Sequence, residues 1–391
     1  MKIIYKKQIT QILQIALTFA IFANAANLLQ DQFSKIKSFS GIDEKNIFHI
    51  TSVLYKNNQS ISDRIVEDIN IIRQFSEVIN TTITNTVPLT SNGWSVPVYL
   101  KPSESDDPGG VDVATFMVNS DAINTFDLKL IAGSNFTKLD QVEFNPNTTN
   151  WASKVILTKI AAEGIFSNDA NYGLGSLIYI DGKFPAHVIG IVQKLQGPWS
   201  EWEGVERSML LPQTFMTKVS RYVVRVKKGT IKDVPKRVHE ALEEISSNRY
   251  LLKPVTFLET KNKSYHSNII TSKILIVITL IFIIVSMFGI AGLTSVKLEL
   301  RKKEIIINRA FGASRNTILK QILLDNLKII IIASFIGILF AYLLNEYLIV
   351  KFSLSTLNYT HIFSALVIVI ASGQIATLLA SFNLIKQNPF S

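Results

Sequence analysis

Residue types that could form a catalytic or metal site are scattered along the chain. There is no cysteine, which removes disulfides, thiolate metal ligands and cysteine nucleophiles from consideration. The five histidines form no His-x-x-x-His pair, and no Gly-x-Ser-x-Gly sequence marks a nucleophilic serine. Gly173 and Gly175 lack the third glycine of a dinucleotide fingerprint. The sequence predicts no catalytic residue, metal site or cofactor in this chain, although a site built from distant residues stays open.

Two other groups of side chains are weak candidates for binding sites. Trp199 and Trp202 lie in one predicted loop and are a candidate contact for a substrate or an adaptor protein. Packing within the domain is the favoured interpretation, about two to one, because exposed aromatic residues mark sites only where they cluster. The acidic residues Glu104, Asp106 and Asp107 suggest a cation site, but a solvated loop is the favoured interpretation.

The most informative segment is a basic stretch, residues 294–328, between two apolar runs. Up to Ala310 its pattern is compatible with a helix. Gly312 suits a helix C-terminus with positive φ, and Ser314 suits the N-cap of a second helix. The sequence therefore predicts two helices that meet at an elbow over residues 311–314. A capped, amphipathic elbow suits a rigid lever that a cytoplasmic partner can push.

Three apolar stretches are long enough to position this segment beside a membrane, since a bilayer core of about 30 Å needs about 20 apolar helical residues. Residues 274–293 contain no charge. Residues 329–350 qualify if the polar residues 345–347 lie at the far interface, and residues 362–382 qualify with Gln374 as the main polar intrusion. Three transmembrane helices are therefore predicted in the C-terminal third.

The last two spans also carry small residues at four-residue spacing, which allows close helix packing. Small residues that face lipid are the alternative, at roughly one in three. The two sets are Ala333, Gly337 and Ala341, and Ser372, Ala376 and Ala380.

A fourth candidate span, residues 8–29, is weaker. Residues 23–25 (Ala-Asn-Ala) resemble a signal-peptidase site, so a cleaved signal peptide is one alternative, at about one in four. In the other, the helix is retained, and Ala16, Ala20 and Asn24 form a small-residue face. In both, the segment that follows lies outside the cytoplasm.

The positive charge is concentrated beside these apolar runs. Three segments, with net charges of +3, +5 and +1, hold nearly all of the net charge of +10. They are Lys2, Lys6 and Lys7, residues 294–328, and Lys386. The positive-inside rule places all three in the cytoplasm. The basic composition is therefore a topology signal, and no nucleic-acid partner is predicted.

The long segment between the first two spans mixes helix and strand patterns. Its best hairpin signal is residues 177–193, joined around Asp181 and Gly182. The other predicted elements are helices over 61–80 and 232–247, a strand over 221–227 and an exposed loop over 102–110.

Together these patterns predict an α-helical membrane protein with four transmembrane helices (1 + 3) and a large α+β extracytoplasmic domain. Residues 1–30 form the cytoplasmic N-terminus and first helix, residues 31–270 the extracytoplasmic domain, and residues 271–391 the permease domain.

The basic segment resembles the loop of FtsX-domain permeases, in which a basic stretch, a Glu-Ile pair, an Arg-Ala pair and a Gly-Ala turn precede the third span. The matching residues are Arg301, Glu304, Ile305, Arg309, Ala310, Gly312 and Ala313. Residues 118–136 and 155–192 resemble the extracytoplasmic core of the MacB family, most closely in the turn at residues 133–136 and the strand that ends at Val192.

This resemblance implies the permease half of an ABC transporter of the MacB/FtsX type, in the bacterial cytoplasmic (inner) membrane. In that family the elbow is a coupling helix that docks into a groove of a cytoplasmic ATP-binding subunit. Because this chain has no Gly-x-x-x-x-Gly-Lys-Ser/Thr phosphate loop, ATP and Mg are expected in a separate subunit. The coupling residues carried over are Arg301, Glu304, Ile305, Arg309, Ala310, Phe311, Gly312, Ala313 and Ser314.

The resemblance further implies export of an antibiotic, peptide or toxin on the outer side, driven by mechanotransmission. The implied partners are a second permease copy or homologue and the lipid bilayer, with a periplasmic membrane-fusion adaptor and an outer-membrane channel as further candidates. A lipoprotein-releasing permease of the LolC/LolE type is an alternative. A membrane-anchored binding or sensor protein without an ATPase explains the spans equally well, but it does not explain the elbow.

Overall fold

The chain forms two compact units in a computed structural model. One comprises Met1–Ser38 and Ser267–Ser391, and the other comprises Phe39–His266. The residues that the structure describes are 2–55, 60–103, 109–144, 151–167, 171–215, 217–245, 248–352 and 355–386. The acidic candidates Glu104, Asp106 and Asp107, and with them most of the predicted loop over 102–110, lie outside these residues.

The secondary structure alternates between long apolar helices at both ends and short elements in the middle. The helices are α1 (Lys2–Lys37), α2 (Ile61–Arg73), α3 (Ala122–Phe126), α4 (Lys159–Phe166), α5 (Val234–Glu244), α6 (Phe257–Ser264), α7 (His266–Leu300), α8 (Lys302–Ala310), α9 (Arg315–Phe352) and α10 (Tyr359–Lys386). The strands are β1 (Ile47–Leu54), β2 (Val78–Thr84), β3 (Trp94–Tyr99), β4 (Val111–Val118), β5 (Leu130–Gly133), β6 (Val142–Phe144), β7 (Lys154–Thr158), β8 (Leu177–Ile180), β9 (Phe184–Val192), β10 (Ser208–Phe215), β11 (Val219–Val226), β12 (Arg249–Leu251) and β13 (Val255–Thr256).

Four helices in the described part of the chain are long and apolar enough to cross a membrane. They contain the four predicted apolar runs and extend beyond them, over Gln8–Lys37, His266–Leu300, Arg315–Lys351 and Tyr359–Phe382. A helix of 35 residues is about 50 Å long, which exceeds a bilayer core of about 30 Å. The polar ends of these helices are therefore long enough to continue past the membrane boundary.

Small residues bring α1 and α9 into close contact. Ala16, Ala20 and Ala341 are buried. A Cβ added at Gly337 would lie 2.8 Å from the Cβ of Phe19 and 3.0 Å from the carbonyl oxygen of Ala16. The predicted packing face on α9 is therefore confirmed, because these backbones approach too closely for a larger side chain.

Polar side chains link α1 to its neighbours at several depths. The amide of Asn24 donates hydrogen bonds to the carbonyls of Ala20 and Ala341, each at 3.0 Å. The hydroxyls of Thr18 and Ser286 lie 3.0 Å apart. Since an unpaired polar group costs several kcal/mol in hydrocarbon, such bonds stabilise helix association. They favour the interpretation in which α1 is a retained helix.

One part of the sheet in the second unit is antiparallel, with the strand order β12-β1-β11-β2. The predicted strand over 221–227 and helix over 232–247 are confirmed as β11 and α5. The predicted helix over 61–80 is wrong in its second half, because α2 ends at Arg73 and Val78 begins β2. Pairing of β2 with β11 outweighs the helical spacing of the apolar residues there.

The other part of this sheet is a closed ring of six strands. β3, β4, β10, β7, β9 and β8 are hydrogen-bonded in succession, and β8 pairs with β3 to close the ring. The predicted hairpin is confirmed: β8 and β9 pair, and Asp181 and Gly182 have φ of 52° and 67°. At its rim, β5 pairs with β9 through Gly133 and Gly190, where an added Cβ on Gly133 would meet the carbonyl oxygen of Ile189.

Three buried polar residues of the antiparallel sheet and the helix beside it form one network. Arg249 and Asp68 form a fully buried ion pair, and the hydroxyl of Tyr222 donates to the same carboxylate at 2.6 Å. Burial, with the Asp68 charge second, raises the pKa of Tyr222 well above its usual range. On β1, the imidazole of His49 lies 3.0 Å from the hydroxyl of Thr260 on α6.

Folding should depend on the ionisation of His49. Burial, and secondarily the Arg221 charge, lower the pKa of His49 from 6.5 to about 4. Between pH 6.5 and 4, His49 is therefore protonated in the unfolded chain but mostly neutral in the folded chain. We expect His49 to reduce the free energy of unfolding by roughly 3 kcal/mol as the pH falls from 6.5 to 4, with little further change below that.

This dependence can be measured by urea denaturation of the intact chain, followed by tryptophan fluorescence, since all four tryptophans lie in the second unit. His49→Gln should show a shallower loss of stability than wild type between pH 6.5 and 4. His187→Gln, at an exposed position, is the control and should keep the wild-type slope. Parallel curves for wild type and His49→Gln would contradict the account.

Candidate coupling site

The basic segment after α7 contains a helix break that the sequence did not indicate. α7 ends at Leu300, and α8 begins at Lys302. Between them Arg301 has φ −97° and ψ 6°, and its amide donates to the carbonyls of Lys297 and Leu298. The run up to Ala310 is therefore two helices rather than one. Neither glycine nor proline marks the break, so propensity alone could not reveal it.

The side chain of Arg301 accounts for the position of the break. Its Nε and Nη2 atoms donate to the two carboxylate oxygens of Glu304, each at 3.0 Å, and Nη1 donates to Asp325 on α9 at 3.0 Å. These bonds raise the pKa of the Arg301 guanidinium, and the bond to Glu304 has the largest effect. The bond between Arg301 and Glu304 also lowers the pKa of Glu304. The guanidinium thus ties the start of α8 to Asp325 on α9, at the point where α7 ends. We call this set of contacts the Arg301 joint.

The other end of α8 closes in a Schellman motif. The amide of Gly312 donates to the carbonyl of Arg309 at 3.1 Å, and the amide of Ala313 donates to Asn308 at 3.0 Å. Gly312 has φ +94°, a conformation that favours glycine. Ser314 then caps α9, because its hydroxyl accepts a hydrogen bond from the amide of Thr317 at 3.2 Å. The predicted elbow geometry at Gly312 and Ser314 is confirmed.

No residue of α8 is buried. Three apolar side chains on it or beside it are exposed, Ile306 by 41%, Ile307 by 54% and Phe311 by 88%. Ile305 and Arg309 are half-buried, while Glu304 and Ala310 are exposed. Exposed apolar residues grouped on a fixed helix are typical of a protein contact surface. We call Ile306, Ile307 and Phe311 the α8 patch.

The tryptophan pair lies in the second unit. The rings of Trp199 and Trp202 meet edge to face with centroids 5.8 Å apart, and both are half-buried. Trp202 also covers Gly204, where an added Cβ would lie 2.6 Å from its ring. The rings thus pack against each other and their own loop. Their contact with a substrate or adaptor stays a prediction.

Two family models match the chain. The MacB-like periplasmic core domain matches residues 12–243, and the FtsX-like permease C-terminal domain matches residues 276–389. The first covers more than half of the chain, and the second contains α8 and the last two apolar helices. The chain therefore belongs to the MacB/FtsX family of permeases, as the resemblance in the sequence implied.

Individual relatives are distant. The chain is 27% identical over 186 residues to the macrolide export ATP-binding/permease protein MacB of Bradyrhizobium diazoefficiens, a match that covers 45% of this chain and 28% of that protein. It is 25% identical over 197 residues to MacB of Rhodopseudomonas palustris, covering 48% and 29% respectively. The chain thus spans less than a third of the curated relatives it matches. The periplasmic region of MacB from Actinobacillus actinomycetemcomitans superposes with a TM-score of 0.34 at 15% identity, covering 56% of this chain and 94% of that one.

The Arg301 joint should control the local stability of α8. Arg301→Gln removes the charge that Glu304 and Asp325 share, and a partly exposed network of this kind contributes about 1 kcal/mol. We therefore expect amide hydrogen exchange in residues 302–310 to become about fivefold faster. Lys302→Gln is the matched control, because the one ion pair of Lys302 with the described residues is an exposed 3.6 Å contact with Glu299. Equal exchange in wild type and Arg301→Gln would show that the joint does not hold α8.

Proposed function

We propose that this chain is the permease subunit of an ABC transporter of the MacB type, and that a separate cytoplasmic subunit hydrolyses ATP. The observation that carries this proposal is the exposed, apolar α8 patch on a helix fixed at both ends. A loop that only connects two membrane spans needs no exposed helix fixed at both ends. A docking element needs both an open contact surface and rigid ends, and α8 has both.

The contacts of Arg301 suggest how force would pass into the membrane. Asp325 lies on α9 and Glu304 on α8, and the same guanidinium bonds to both. A displacement of α8 would therefore move the ends of α7 and α9 together. In this proposal ATP-driven closure of the partner subunit pushes α8, and the two helices carry the motion towards the second unit.

The proposed orientation places α8 in the cytoplasm and the second unit outside. The charge distribution supports this, because the segment around α8 is strongly basic and the second unit is nearly neutral. The chain would then be a multi-pass protein of the bacterial cytoplasmic membrane. It would itself be non-catalytic, with ATP and Mg held by its partner.

A second permease copy or homologue is part of the proposal. Only 11% of the residues in the most apolar stretch of α7 are buried. Apolar side chains are exposed there by 54% or more, in line with contact with lipid or a second permease; examples are Val277, Ile281, Val285 and Phe288. Pairing through the first two spans is the arrangement that the family resemblance implies.

The proposed transport is export of an antibiotic, peptide or toxin handled on the outer side of the membrane. The relatives that carry the name macrolide export protein support an export function. A periplasmic adaptor and an outer-membrane channel would be further partners. Lipoprotein release of the LolC/LolE type is the second candidate within the superfamily.

The α8 patch provides the test of the proposed ATP-binding partner. We expect Phe311→Asp to weaken co-purification with the ATP-binding protein encoded beside this chain by about tenfold or more, because a large apolar side chain contributes about 1.5–3 kcal/mol on burial. Pull-down after co-expression measures this loss. Since Phe311 is 88% exposed, its replacement should leave the fold intact.

Ile245→Asp is the matched control, because Ile245 is an exposed apolar residue of the second unit. It should retain the partner fully. If the wild-type chain binds no ATP-binding protein, or if Phe311→Asp and wild type bind equally, the coupling role of α8 fails. The first of these outcomes would favour the membrane-anchored binding protein.

A further inference from the structure

A cavity of about 390 Å³ opens at the same end of the helix bundle as α8. Its walls come from α1, α7 and α9, and all of its lining residues belong to the first unit. That volume holds roughly a dozen water molecules, at about 30 Å³ each. It is therefore large enough for a phosphate group with its glycerol.

The polarity of the cavity changes with depth. Leu293, Lys297 and Arg301 line it on successive turns of α7 and its end. Four helical residues rise about 6 Å, so the wall changes from apolar to cationic over about 12 Å. Leu293 and Ile329 lie at the ends of the predicted apolar spans, and Leu300 lines the outer part. A ligand that matches this wall has an anionic head and an apolar continuation.

The charges in the lining favour an anion. The lining contains three basic residues and one acidic residue, so its net charge is +2; these are Lys297, Arg301, Lys328 and Asp325. Arg301 bonds to Glu304 and Asp325, and Lys328 lies 3.8 Å from Asp325. The ammonium of Lys297 makes no hydrogen bond or ion pair with the described residues. Its three N–H donors are therefore available to a ligand.

We propose that this cavity binds the headgroup phosphate of an anionic phospholipid from the adjacent leaflet. Lys297 would contact the phosphate, and Leu293 and Ile329 would contact the first acyl methylenes. Basic crevices between membrane helices suit acidic lipid headgroups, because charge and apolar contact act on one molecule. This site goes beyond the proposed transport function and does not require an ATP-binding partner.

The site would also connect lipid to the Arg301 joint, because Arg301 and Asp325 line the cavity as well as forming the joint. A bound phosphate would add a negative charge beside the guanidinium. Anionic lipid should thus stabilise the end of the bundle at which α8 is attached.

The test is lipid binding by the full-length chain in neutral detergent, measured by native mass spectrometry and by thermal stability. Phosphatidylglycerol should bind to and stabilise the wild type, whereas phosphatidylcholine and inorganic phosphate should have little effect. Lys297→Gln should weaken phosphatidylglycerol binding by about tenfold or more, as expected for loss of a charge-assisted hydrogen bond. Lys302→Gln, which removes a neighbouring charge outside the cavity, should bind as the wild type does.

Leu300→Trp provides a second variant that keeps every charge. Leu300 is 57% exposed, so the larger ring should fill the outer cavity without disturbing the fold, and it should also reduce phosphatidylglycerol binding. Equal loss in Lys297→Gln and Lys302→Gln would overturn the site in favour of general surface attraction. Equal binding of phosphatidylcholine, or equal stabilisation by inorganic phosphate, would overturn the assignment to an anionic lipid.

Discussion

The bidentate contact between Arg301 and Glu304, extended to Asp325, is the interaction on which the proposed action of this chain depends. Each bond is 3.0 Å long, and together they span the junction of α7, α8 and α9. A lysine could not replace this geometry, because only a planar guanidinium offers a fork and a third donor at once. Without it, the first turn of α8 would lose its charged connection to Asp325 on α9.

The rest of the first unit provides a rigid support for that junction. Gly337 allows α1 and α9 to approach within van der Waals contact, and the buried amide of Asn24 bonds across the same interface. Near the opposite end of the helices, Asn27 donates to the carbonyl of Ser355 at 2.8 Å, and His361 lies 2.7 Å from Gln30. These helices thus share one packed apolar cluster, in line with the proposed transmission of force from α8.

Much of this architecture could be predicted from the sequence, and the failures have physical reasons. The length of the apolar runs predicts the four long helices. Turns and caps that depend on local conformation are predicted by the residue types at Asp181, Gly182, Gly312 and Ser314. The break at Arg301 was missed because it depends on Asp325, which lies 24 residues away. The spacing of Val78 fits a helix, whereas Val78 pairs with Val226 of β11, which lies 148 residues away. Local rules therefore predicted the elbow, but not the contacts that fix it to the bundle.

The central claim is that α8 receives force from an ATP-binding subunit and that the Arg301 joint passes it to the membrane helices. The most direct test compares wild type and Arg301→Gln, each reconstituted with that subunit, for subunit binding and for the effect of the permease on the ATPase rate. The account predicts that the variant still binds through the α8 patch but no longer alters the ATPase rate. An unchanged effect on the ATPase rate in Arg301→Gln would contradict it.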